Sequence, residues 1–308
     1  MFNKIYFYEK ISCPESKKYF QDGLRKGYFM EFIRKNNHAY VEYSPLLGIT
    51  TDDNQEYLLT RAYLYLFFCK ISLNKKIFIQ QSALITDLNI DNTCNQAINF
   101  VKQGYKCLKI KISNNIEYEI KRINTLAKLT NYKINLKIDA NKSLTYQQAY
   151  TFLKNCPPII EYIEEPLINN INCYKLFTNT NVNIAFDESF NDLNNIYFMK
   201  ENNIKYLVVK INRFNNLFTL IKTIKKAINM DIIPIFSTCF ESEFTASLTA
   251  MIIAYLNLGN YTHCVHANDY SLSLWDKDLF SATVNCEKVH SFLKNLKLTN
   301  LGNKYFSF

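Results

Sequence analysis

Short runs of β-branched and apolar residues recur along most of this chain, and their spacing is the strongest constraint on its fold. They are Phe78 to Ser82, Cys107 to Ile112, Ile134 to Ile138, Tyr162 to Ile163, Val182 to Phe186, Tyr206 to Val209, Ile232 to Phe236 and Tyr261 to Val265. Stretches with helical patterning lie between most of them: Asn115 to Leu129, Thr145 to Leu153, Leu217 to Ile228 and Glu243 to Leu256. Apolar runs of this kind read as strands buried on both faces, and successive parallel strands need a crossover, usually a helix, between them. Eight strands alternating with helices predict an α/β fold of the TIM-like barrel type, (β/α)7β, over residues 78–274. An open doubly wound sheet is the competing topology, but no glycine-rich phosphate loop follows the first strand.

Residues 1–77 keep a different rhythm. Extended patterning from Ile5 to Tyr43 includes Tyr28 to Arg34 and Ala39 to Tyr43, separated by the polar turn Lys35, Asn36, Asn37 and His38. A loop, Ser44 to Gly48, leads into a helical stretch that opens at Thr51 and Asp52. This segment reads as an α+β unit of its own. With 308 residues, 48% of them hydrophobic, the chain can bury the cores of one large and one small domain. Only 6 glycines and 6 prolines stand against abundant Lys, Asn, Ile, Phe and Tyr, which points to codon bias in an A+T-rich genome.

The formal charge of +9 comes from lysines scattered among acids, with no basic run interleaved with aromatics. That pattern suits a small anionic substrate and argues against nucleic acid as a partner. Nine cysteines without a Cys-x-x-Cys pair make neither a disulfide framework nor a zinc site, so free thiols in a reducing compartment are expected. Met1 to Lys10 holds no secretory h-region. The apolar stretch Tyr63 to Leu73 is broken by Lys70 and is too short to span a membrane.

In a barrel the active site forms at the C-terminal ends of the strands. The second strand ends with Lys109 and Lys111, the third with Asp139, the fourth with Glu164 and Glu165, the fifth with Asp187 and Glu188, the sixth with Lys210, and the seventh with Ser237 and Thr238. Lys109 and Lys111, two residues apart, point to the same side of a strand. On a water-facing side they form a solubilising edge. In a barrel interior one would lower the pKa of the other and supply a neutral amine as a base near pH 7.

Each acid alone has a structural reading too. Asp139 could cap the next helix, Glu164 and Glu165 could simply end a strand before Pro166, and Asp187 to Ser189 could form a cap. Lys210 could snorkel to solvent. In this order and spacing, three acids flanked by lysines form a metal-centred constellation. Three carboxylates are hard oxygen donors suited to Mg²⁺, with positions left for water and substrate.

These residues resemble the enolase superfamily and, within its muconate-lactonizing-like subgroup, the o-succinylbenzoate synthases of menaquinone and phylloquinone biosynthesis. The matching motifs are Lys-x-Lys at Lys109 to Lys111, Asp-Ala-Asn at Asp139 to Asn141, Glu-Glu-Pro at Glu164 to Pro166, Asp-Glu-Ser at Asp187 to Ser189, and Lys210. Glu42, Ser44, Pro45, Leu46 and Gly48 are similar to the family's Gly-Glu-x-x-Pro-Leu-x-Gly loop. The resemblance implies that residues 1–77, completed by 275–308, form a capping domain. It implies Mg²⁺, or Mn²⁺ in its place, on Asp139, Glu164 and Asp187, with Lys111 as acid and base and Lys210 stabilising an enediolate. Lys109, Asn141, Glu188 and Ser237 would support the site or contact substrate.

The implied reaction is syn dehydration of 2-succinyl-6-hydroxy-2,4-cyclohexadiene-1-carboxylate, a lyase activity in a plastid stroma or a bacterial cytoplasm. Sister enzymes such as a muconate cycloisomerase or an N-acylamino acid racemase would share the same five residues, and a non-catalytic barrel is the alternative of another class. Where dipeptide epimerases carry Asp-x-Asp on the eighth strand, this chain reads His263, Cys264, Val265, His266. It also departs from the family at Val41, Ser113 and Ile211 to Asn212, where two glycines and a proline are usual.

Overall fold

The computed structural model describes residues 2–11, 24–34, 37–45, 55–71, 76–168, 174, 177, 180, 182–190, 192–267, 274–275, 279–296, 298 and 305–306. By their contacts they fall into two compact units, one of Met1–Ile79, Lys210–Lys222 and Phe236–Phe308, the other of Gln80–Val209 and Thr223–Ile235. Most of the expected loop from Ser44 to Gly48 lies outside the described residues.

In the first unit β1 (Phe2–Ile11), β2 (Leu24–Arg34) and β3 (Asn37–Tyr43) pair antiparallel, and β14 (Tyr305–Phe306) adds to the edge of β1. The helix α1 (Gln55–Lys70) packs on β3 and against α7 (Glu243–Tyr255) and α8 (Cys286–Lys294). Aromatic rings fill the seam. Phe29 stands edge-to-face on Phe244 and Trp275, and Tyr65 touches both Phe244 and Tyr40.

Helix α7 is buried along its length from Glu243 to Ala254, as expected of a helix that is apolar nearly all round. Its N-terminus is therefore buried too, and orphan N–H groups there need acceptors. Glu42 on β3 supplies them, accepting from the Ser242 N–H at 3.2 Å, the Ser242 hydroxyl at 2.6 Å and the Thr245 hydroxyl at 2.7 Å. The negative charge also complements the helix dipole. Replacing Glu42 by Ala strands these donors, and a loss of about 2–3 kcal/mol in a urea titration is expected; a loss under 0.5 kcal/mol would show that the cap is dispensable.

The second unit is built on a sheet whose strands follow chain order: β5 (Ala83–Ile85), β6 (Cys107–Lys111), β7 (Asn135–Asp139), β8 (Ile160–Glu164), β9 (Asn183–Phe186), β10 (Tyr206–Val209) and β11 (Ile233–Phe236). The pairings from β5 through β10 are parallel. A separate small sheet holds β4 (Phe78–Gln81) between β12 (Thr262–His263) and β13 (Thr283–Asn285). Each of the eight expected runs thus contains a strand. The first continues past Ser82 into β5, and it is β5 that pairs with β6.

Between the strands lie α2 (Ile90–Lys102), α3 (Ile116–Leu129), α4 (Tyr146–Asn155), α5 (Asn194–Glu201) and α6 (Leu217–Asn229). Polar side chains start them: Asn89 caps α2, Asn115 caps α3, and Thr145 with Gln148 forms a capping box on α4. Asparagine also ends them. Asn131, Asn203 and Asn257 follow α3, α5 and α7 with φ of 50°, 55° and 61°, the left-handed geometry usually given to glycine. A chain with few glycines places there the residue that best tolerates the conformation.

Among the described residues no helix is long and apolar enough to cross a membrane. The described cysteines are free thiols.

Candidate active site

The parallel register aligns the expected site residues in rungs. Lys109 lies beside Lys137, and Lys137 beside Tyr162; two rungs further on, Lys111 lies beside Asp139, and Asp139 beside Glu164. Asp187 follows β9 directly. Asp139, Glu164 and Asp187 are 4%, 1% and 1% exposed. Carboxylates this deep must be balanced by cations or hydrogen bonds.

Lys109 is part of that balance. Its ammonium lies 2.7 and 2.9 Å from the two Glu164 oxygens and 3.1 Å from Asp139 Oδ2. Burial opposes its charge, yet the fields of Asp139, Glu164, Tyr162 and Asp187 hold it well above the usual lysine range. Two acids therefore absorb much of the charge that was expected to act on Lys111. Lys109 is better described as the counter-ion of the acids than as the group that tunes its neighbour.

The structural alternative for Asp139 fails, because Thr145 is the N-cap of the next helix. Asp139 instead accepts from the backbone N–H of Asn141, which is exposed and left-handed at φ 45°. Glu188 is half-buried, beside the buried Asp187.

Lys210 and Ser237 belong to the first unit. Lys210 follows β10 and precedes a 3₁₀ turn, Ile211–Arg213. That turn is gripped by α1: Arg61 donates to the carbonyls of Ile211 and Phe214, and Tyr57 donates to Asn212 Oδ1. Asn212, in place of the family's proline, donates in turn to Glu241. Ser237 bridges Cys264. His263 accepts from the Phe236 N–H through Nδ1 and donates from Nε2 to the Leu258 carbonyl, a structural role for a fully buried ring.

The contacts of several residues near the site were invisible to sequence reasoning. Glu165, fully buried with φ 44°, accepts from the N–H groups of Asp187 and Ser189 and from the Ser189 hydroxyl, each at 2.7 Å. Burial raises its pKa against the pull of those bonds. It thereby fixes the backbone that carries Asp187. Lys137, 1% exposed, lies with its ammonium 5.2 Å from the centre of the Tyr162 ring. On α3, Glu119 and Arg122 are both fully buried. Their signal is positional, since Glu119 shares the helical face of Ile116, Ile123 and Leu126.

Among the described residues no three acidic, His or Cys side chains are drawn together as a ready-made metal site. The set still fits a hard divalent cation. All three donors are carboxylates, all are buried, and all act on one ammonium. Three carboxylates against the single charge of Lys109 leave two negative charges, the number that Mg²⁺ neutralises.

Comparison with known proteins supplies the family. Residues 92–292, more than half of the chain, match the model described as Enolase C-terminal domain-like. The chain belongs to the enolase superfamily. The L-Ala-D/L-Glu epimerase of Clostridium acetobutylicum is 34% identical over 119 residues, 35% of this chain and 33% of that protein. The matches cover less than half the length of each curated relative.

Among solved structures, the N-succinyl Arg/Lys racemase from Bacillus cereus superposes with a TM-score of 0.75 over 96% of this chain and 98% of its own, at 11% identity. The dipeptide epimerase from Enterococcus faecalis, complexed with Mg and the dipeptide L-Leu-L-Tyr, superposes with a TM-score of 0.70 at 15% identity, covering 85% of this chain and 89% of its own. The superfamily and an α/β fold with a parallel sheet and an N-terminal antiparallel domain follow from these matches. The curated relatives are epimerases, and the structural neighbours include racemases and a cycloisomerase.

Proposed function

We propose that this chain is a Mg²⁺-dependent enzyme that removes the proton α to a carboxylate. The carrying observation is the row of buried acids at the ends of adjacent parallel strands, facing Lys109, with Lys111 on the rung beside Asp139. Asp139, Glu164 and Asp187 would hold Mg²⁺, which when bound supplies positive charge where negative charge develops on the substrate carboxylate. Lys111 is the base that takes the α-proton, and Lys210 is the second lysine of the reaction. Lys109 holds the Asp139 and Glu164 carboxylates in place.

The relatives support proton return to the same carbon, a racemisation or epimerisation, as the overall reaction. His263, Cys264, Val265 and His266, where dipeptide epimerases carry acids, favour an N-acylated amino acid over a substrate with a free α-ammonium. Dehydration to o-succinylbenzoate is the second reading, carried by the motif set from Glu42 to Lys210. In it Lys111 returns its proton to the departing hydroxyl.

Incubation in D₂O with N-succinyl and N-acetyl amino acids, L-Ala-L-Glu and the cyclohexadiene carboxylate separates these readings. Deuterium at the α-carbon of an acylated amino acid is the expected result; loss of cyclohexadiene absorbance without that exchange selects the synthase. No reaction with any of them would sink the catalytic reading. Mg²⁺ is tested apart from turnover. At a hundredfold excess over its dissociation constant it adds about 2.7 kcal/mol to stability and is expected to raise Tm by roughly 5 °C. A Tm indifferent to millimolar Mg²⁺ would speak for a barrel without a metal site.

A further inference from the structure

Lys111 is the last residue of β6, paired with Asp139 of β7 at the point where the strand ends. A second device takes over. Arg122 on α3 donates four hydrogen bonds: Nε to Glu119 at 2.8 Å, Nη1 to the Asp87 carbonyl at 2.6 Å and to Thr93 Oγ1 at 3.0 Å, and Nη2 to the Lys111 carbonyl at 2.5 Å, while Nη2 also pairs with the Glu119 carboxylate at 2.7 Å. Glu119 accepts from the Ser113 N–H at 2.9 Å and from the Ser113 hydroxyl at 2.7 Å. The main chain is therefore held on both sides of Ile112, whose own N–H donates to the Asp139 carbonyl.

A fully buried ion pair is a weak source of stability, and an apolar pair of equal volume would serve as well for packing alone. An apolar pair could not hold the Lys111 carbonyl or the Ser113 N–H. Ser113, which replaces the family's glycine, adds a hydroxyl to the same clamp. We propose that Arg122, Glu119 and Ser113 are positioning residues that set the backbone of Lys111 and so aim its amine; this rests on the reading of Lys111 as the base.

The test uses the full chain with excess Mg²⁺ and two conservative variants, R122K and S113A. Lysine keeps the charge opposite Glu119 but cannot span Asp87, Thr93 and Lys111 at once. Alanine removes only the hydroxyl bond. With whichever probe of the D₂O panel the wild type exchanges, R122K is expected to lose at least about tenfold in kcat and S113A about twofold to fivefold, with KM within twofold, since small misplacements of a reacting group are costly.

A second arm needs no substrate. Competitive acetylation by acetic anhydride compares Lys111 with the exposed Lys128 and Lys154. The Lys111 rate should change at least threefold in R122K while both controls stay put. A wild type that exchanges no probe defeats the functional reading and leaves the labelling arm to decide positioning. Wild-type kcat together with wild-type Lys111 labelling in both variants overturns the proposal. So does a loss of kcat matched by an equal loss of Mg²⁺ affinity and altered labelling of the controls. If R122K does not fold, S113A alone decides by the same two readouts.

Discussion

Lys111→Ala lowers α-proton exchange about 10²–10⁴-fold, the range a positioned general base contributes. The methyl group accepts no proton, and Asp139 and Glu164 beside it are engaged with Lys109. Mg²⁺ should still raise Tm in this variant, because none of the three carboxylates is altered. Deuterium exchange by NMR alongside thermal melts reads both properties from one preparation. Activity above a tenth of wild type would move the base elsewhere, and Lys210 would be the first residue to replace next.

Lys109→Met is expected to be the most destabilising single change at the site. It leaves the Asp139 and Glu164 carboxylates buried without the ammonium that now lies within 3.1 Å of both. Removing one partner of a buried pair costs about 3–5 kcal/mol. The folded-state pKa of Lys109 is raised, so its contribution is complete below the ordinary lysine value and fades only as pH climbs through the higher folded one. A comparison at pH 7 is therefore free of its titration.

In EDTA the variant should melt well below wild type. With Mg²⁺ the gap should narrow, since the uncompensated carboxylates then share a divalent cation. Equal melting in EDTA would mean that the acids are satisfied by other partners. An unchanged gap with Mg²⁺ would mean that the ion binds elsewhere.

How much of this could be read beforehand depends on what each residue's neighbours are in the chain. The strands were legible because β-branched runs such as Cys107 to Lys111 have no other economical place than a buried sheet. The candidate ligands were legible because each falls at the end of such a run. Helices α2 and α5 were not, because asparagines are interleaved with the apolar residues of both and obscure the helical pattern. Arg61 and Glu119 look like surface charges in the sequence, and what Glu42 and Glu165 bond to is equally hidden there. Their partners lie up to 203 residues away, or are backbone groups whose exposure only the packed structure decides. The expected effect of Lys109 on Lys111 was missed for the same reason: a strand pattern gives the side a residue faces, but not which acids meet it there.

The clamp around Arg122 has a dynamic consequence as well. It joins the Asp87 carbonyl, beyond β5, to the Lys111 carbonyl at the end of β6 and to Ser113 ahead of α3. Opening any one of them while the guanidinium and the Glu119 carboxylate stay paired would leave buried donors and acceptors of Arg122 and Glu119 unsatisfied. The stretch at Asp87 and the stretch from Lys111 to Ser113 are thus expected to form one cooperative unit, opening together at a single free energy instead of fraying one by one. Local motion around the lysine is then all-or-none: long residence in one geometry, interrupted by rare, larger excursions.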